Sequence, residues 1–262
     1  MKKGIVVLLA LLLWFSADLT AAQKREKRDI KSEFSGIELA THGELKVKIG
    51  DRVELVVEAD EEVIDRITTR VEGDTLVIDR KSRSSSWLHQ LFGFNRESRM
   101  RFFLTVLPGQ IDRLLASSHG DIEIPELNGK HVSVELSSHG EVTIDDIKGT
   151  KVDIELSSHG DLDVGHLEAE RLFCNMTSHG LVRIRQGQVQ SQNVELSSHG
   201  DYLAENLVCE NAVVELSSHG TAKVHASRRL EASITSHGDL YYRGNPELDI
   251  PRSQMKKVSR IR

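Results

Sequence analysis

Imidazoles recur along this chain at a spacing that could do chemistry. Ser-Ser-His-Gly stands at 117–120, 137–140, 157–160, 197–200 and 217–220, and Thr takes the first place at 177–180 and 235–238. The histidines are His119, His139, His159, His179, His199, His219 and His237, in steps of 20, 20, 20, 20, 20 and 18 residues. Carboxylates adjoin them: Asp121, Glu141, Asp161, Asp201 and Asp239 directly follow the glycine, and Glu135, Glu155, Glu195 and Glu215 precede the motif. Imidazole with carboxylate suits Zn²⁺, Cu²⁺ or Ni²⁺ better than Ca²⁺ or Mg²⁺. The candidate metal ligands are therefore the seven histidines with Asp121, Glu141, Asp161 and Asp201, holding an ion loosely, because no spacing fixes a three- or four-ligand site. Two other readings stay open. The column is a duplicated corner whose His stacks on or bonds a neighbouring coil, or it is a surface on which imidazolium and carboxylate neutralise one another near pH 6. A Ser–His pair within the motif lacks the orienting third group that a catalytic triad needs. Neither a catalytic residue nor an organic cofactor is expected.

The elements that must position these side chains follow from the period. A tight 20-residue repeat is the signature of a solenoid, in which each coil buries its apolar face only by stacking on its neighbours. Between motifs the pattern alternates with period two and favours β-branched residues, as in Val132-Ser-Val134-Glu-Leu136 and Val142-Thr-Ile144, which reads as short strands. The fold class is all-β, a parallel β-helix with about 20 residues per coil and rungs about 4.8 Å apart. Aligned on the histidines, three inward columns emerge. The first holds Val132, Val134 and Leu136 and their equivalents through Leu230, Ala232 and Ile234; the second holds Ile122 and Ile124 through Val182 and Ile184; the third holds Leu127, Ile147, Leu167 and Leu207. Gln192 breaks the first column and is expected at a coil edge or hydrogen-bonded. The motif glycine is expected to supply positive φ or close packing at a corner.

Taken in order, residues 1–22 carry Lys2 and Lys3, an apolar run and small residues ending in Ala21-Ala22, which reads as a secretory signal peptide. Without Lys2, Lys3 and Asp18, 32 of the 34 basic and 39 of the 40 acidic residues remain, a formal −7. That charge gives no reason to expect nucleic acid, and the mature chain has no second apolar run of spanning length. The expected location is the periplasm or the cell surface. Residues 23–33 read as a charged linker, 34–110 as N-terminal β coils, 111–245 as regular coils, and 246–262 as a closing strand or a basic tail. Thr41-His42-Gly43 matches the later corners and makes His42 an eighth member of the column. One excursion, at 80–100, carries Trp87, Leu88, Leu91, Phe92 and Phe94 among arginines. It reads as a partner or membrane contact, or as a flap over the solenoid's end. Cys174 falls in an inward column and Cys209 at a corner, so no disulfide is expected.

These residues carry a family likeness. From Phe34-Ser-Gly-Ile37, through Leu76-Val-Ile78 and the strand ending Leu107-Pro108, to Tyr242-Arg-Gly-Asn-Pro246, the chain resembles the bacterial head GIN domain of auto-transporter adhesins. Ser-Ser-His-Gly stands where that family's corner reads Ser-Gly-Ser-Gly. The resemblance implies a right-handed β-helix outside the cytoplasm, an adhesin-like partner (an envelope or surface protein or glycan), and no catalytic residues.

Overall fold

The computed structural model describes residues 23–81, 99–137, 139–235 and 237–261. The signal peptide expected at 1–22, and the apolar residues of the excursion between 82 and 98, lie outside them. In chain order the elements are β1 (Gln23–Arg28), β2 (Gly36–Leu39), β3 (Gly43–Ile49), β4 (Glu54–Asp60), a single helical turn α1 (Glu61–Ile64), β5 (Ile67–Glu72), β6 (Thr75–Arg80), β7 (Arg101–Val106) and β8 (Arg113–Ala116). The regular region is β9 (Gly120–Leu136), β10 (Glu141–Leu156), β11 (Asp161–Met176), β12 (Leu181–Leu196), β13 (Asp201–Leu203), β14 (Leu207–Leu216), β15 (Thr221–His225), β16 (Arg229–Ile234) and β17 (Asp239–Arg243). It closes with β18 (Glu247–Asp249) and β19 (Val258–Arg260).

The period-two reading holds throughout the regular region. Val142 lies beside Ile122 and Leu162, Ile147 beside Leu127 and Leu167, and Ile154 beside Val134 and Cys174, all in parallel register. The molecule is a β-solenoid of about seven turns. Residues of the three expected inward columns are at most 3 % exposed, so the interior is filled by stacked aliphatic side chains. Gln192 is buried as well and hydrogen-bonded: its Nε2 donates to the His225 carbonyl (3.1 Å), and its Oε1 accepts from the Tyr202 hydroxyl (3.0 Å). Nearby, Gly187 replaces the leucine of the third column with φ of +145°, because a Cβ there would stand 2.0 Å from the Leu167 carbonyl oxygen.

The N-terminal coils stack in a different order from the chain. β2 pairs in parallel with both β6 and β8, and β3 with both β7 and β9. The β2–β3 coil is thus inserted between the β6–β7 coil and the first regular coil. Antiparallel strands finish this end: β4 on β7, β1 on β4, and β5 on β6. The stretch expected as a charged linker is therefore corrected over Gln23–Arg28, which is an edge strand. It is held by its ladder and by ion pairs such as Lys27–Glu54 (3.1 Å). A strand that buries so little leaves no apolar alternation to read. At the other end β19 pairs with β17, Leu240 opposite Val258, so the C-terminal segment closes the stack as a strand.

Candidate binding surface

Each Ser-Ser-His-Gly corner joins an inbound strand to an outbound one, and parallel stacking at 20-residue register brings the corners into one line. His119, His139, His159, His179, His199, His219 and His237 form a continuous exposed column. Successive ring centroids are 4.8–4.9 Å apart, with planes within 2–6° of parallel. His42 extends it, 5.1 Å from His119 but turned edge-on at 70°, and its Nδ1 lies 3.2 Å from Ser118 Oγ. All eight histidines expected in the column are brought together.

The glycine of the corner is explained by close approach. From Gly120 onward none of the corner glycines has positive φ. A Cβ on Gly140, Gly180 or Gly220 would stand 2.0–2.2 Å from the carbonyl oxygen of the glycine one coil earlier. The wall beneath the imidazoles is backbone on backbone.

The carboxylates do not join the rings in the expected way. Asp121, Asp161 and Asp201 each use Oδ1 to accept the backbone N–H of the next coil, from Glu141, Leu181 and Thr221, at 2.9 Å. In the intervening coils the N–H of Asp161, Asp201 and Asp239 donates instead to Gly140, Gly180 and Gly220 carbonyls. The corner therefore alternates with a two-coil period, which the sequence shows as Asp121, Glu141, Asp161, Leu181, Asp201, Thr221, Asp239. Glu135, Glu155, Glu195 and Glu215 do form an outward column, with Asn175 interrupting it. Among the described residues no group of three or more His, Cys, Asp or Glu is gathered closely enough to hold a metal ion. The thiols offer no substitute. Both are free and buried, and burial pushes Cys174 well up and Cys209 to about 11, so neither presents a thiolate.

Register also places the described ends of the excursion. Leu39 pairs with Ile78 and Glu44 with Arg101, so the described ends of that segment, Lys81 and Arg99, stand where a corner would be in the next coil beyond His42. Sequence spacing could not reveal this, since coil order and chain order differ there. Among the described residues no helix is long and apolar enough to cross a membrane.

A family profile described as "Putative auto-transporter adhesin, head GIN domain" matches residues 33–246. The chain belongs to this head GIN domain family. Three crystal structures resemble it closely in fold. A "putative lipid binding protein" from Parabacteroides distasonis ATCC 8503 superposes with a TM-score of 0.75 at 20% identity, over 93% of this chain and 98% of that one. A "putative adhesin" from Parabacteroides merdae ATCC 43184 gives 0.76 at 14% identity, over 93% and 98%. Another "putative adhesin" from P. distasonis ATCC 8503 gives 0.75 at 17%, over 92% and 98%. At such identities the likeness speaks for the fold alone. Comparison with curated proteins finds no match.

Proposed function

We propose that this head GIN domain is an exported, non-catalytic, adhesin-like binding module of the cell envelope, with the histidine strip as its contact surface. One observation carries the reading: one exposed imidazole per coil, repeated at 4.8–4.9 Å along a rigid parallel wall. A surface that repeats one weak contact gains most from a ligand that also repeats. After the first contact the others form at high effective concentration. An extended envelope polymer, a glycan or an unfolded protein segment, has that character. The net charge of −6 disfavours nucleic acid. The family's description as adhesins supports the reading, as does the leader-like run over residues 1–22. Catalysis finds little support, because among the described residues no carboxylate is bonded to the column rings of His42, His119, His139, His159, His179, His199 or His219 to orient them.

The test is binding of purified peptidoglycan, lipopolysaccharide and mucin-type glycans to the immobilised, tag-free chain. A form with His139, His159, His179 and His199 changed to Ser serves as comparison. At least one ligand is expected to bind the wild type tenfold or more tightly than the variant. Binding of none of them, or equal binding to both forms, overturns the proposal.

A further inference from the structure

We infer that the strip takes up first-row transition-metal ions, Ni²⁺, Cu²⁺ or Zn²⁺, each held between the imidazoles of two successive coils. The inference rests on the reading of the strip as a binding surface and names a ligand class for it. Neighbouring rings are related by translation along the stack, so equivalent nitrogens repeat at about the centroid spacing of 4.8–4.9 Å. Two imidazoles sharing one ion need their nitrogens about 3–3.4 Å apart, given metal–nitrogen bonds of about 2.0–2.1 Å. The difference, about 1.5 Å, is within reach of side-chain rotation because every ring of the column is exposed. The column rings of His139, His159, His179, His199 and His219 make no hydrogen bond or ion pair among the described residues, so rotating them breaks ring stacking alone.

The same geometry limits the site. The Oδ1 atoms of Asp121, Asp161 and Asp201 are tied to backbone N–H groups, and among the described residues no third protein ligand is gathered. Each ion is held by two nitrogens, and water fills its remaining positions. Those positions are open to a donor from a partner, such as a carboxylate. Imidazole donors favour Cu²⁺, Ni²⁺ and Zn²⁺ over Ca²⁺ and Mg²⁺. With one ion per pair, the eight rings from His42 to His237 hold at most four ions.

Equilibrium dialysis of the tag-free full chain against Ni²⁺, Cu²⁺ and Zn²⁺ tests this, using two variants with the same number of histidines. In the alternating variant His119, His159, His199 and His237 become Ser, which leaves no adjacent pair. In the block variant His179, His199, His219 and His237 become Ser, which leaves His42, His119, His139 and His159 contiguous. The wild type is expected to bind more than one and up to four ions per chain. The block variant should bind about half as many at unchanged affinity, and the alternating variant at least tenfold more weakly. Equal binding by the two variants, or wild-type binding no tighter than about millimolar, overturns the inference. Circular dichroism and thermal melts confirm that both variants fold. Repeating the glycan assay in a chelator separates the two proposals. Glycan binding that survives chelation, with no metal uptake in dialysis, leaves the contact-surface reading standing and removes the metal.

Discussion

A glycine at a β-helix corner is often credited with backbone freedom, but Gly140 is there because nothing larger fits beside the Gly120 carbonyl. The distinction is measurable. Gly140→Ala puts a methyl 2.0 Å from a backbone oxygen and forces two coils apart, with an expected cost of about 3 kcal/mol or more. Gly73→Ala, at φ +63° with no atom within 4 Å of the new methyl, should cost about 1 kcal/mol from conformation alone. Urea unfolding of the two variants gives both values; equal losses would mean that the corner can relax. The Gln192–Tyr202 pair allows a second comparison. Gln192→Val restores the apolar column but strands the buried Tyr202 hydroxyl, for an expected loss of about 1–3 kcal/mol. Adding Tyr202→Phe should recover part of that loss, and a double-mutant cycle that proves additive would show the two side chains to be uncoupled.

Strands of this fold meet through outward side chains as well as through the core. On β10, burial raises the Asp153 carboxyl, but hydrogen bonds from Lys151 (2.6 Å) and from His131 on β9 (2.5 Å) outweigh it and hold the group below the usual carboxylate range. A depressed carboxyl stabilises the fold above its unfolded value, about pH 3.9, and the contribution is lost as pH falls through the lower folded value. Asp153→Asn should therefore lower the melting temperature at pH 7, and the difference from wild type should shrink on acidification below about pH 4. A difference that stays constant from pH 7 to pH 3 would refute the ion-pair origin. The elements themselves were legible wherever they bury one face, since Val132-Ser-Val134-Glu-Leu136 could only alternate as a strand. The edge strand β1 was not legible, because charged residues on a little-buried strand leave no periodic trace. The committed carboxylates of Asp121, Asp161 and Asp201 were half legible: their two-coil rhythm is written in the sequence, but which backbone N–H they satisfy depends on three-dimensional register.

At the scale of the whole molecule, a one-residue feature copied down the chain becomes a surface some seven coils long. The histidine column was readable because a strict repeat turns sequence distance into stacking distance. The arrangement near His42 was not readable, because β2 meets strands on both sides that come later in the chain, Ile37 lying between Leu76 and Leu114. That interleaving also carries a kinetic consequence. Neighbouring regular coils need close only short stretches of chain, whereas β2 must await partners far downstream, and distant pairings slow folding. Winding should start in the middle of the polypeptide, with the N-terminal coil threaded in last. Stopped-flow refolding of Ile154→Val and Ile37→Val reads the order directly: the first should slow refolding, and the second should mainly hasten unfolding. The reverse pattern would mean that the molecule begins at its own beginning.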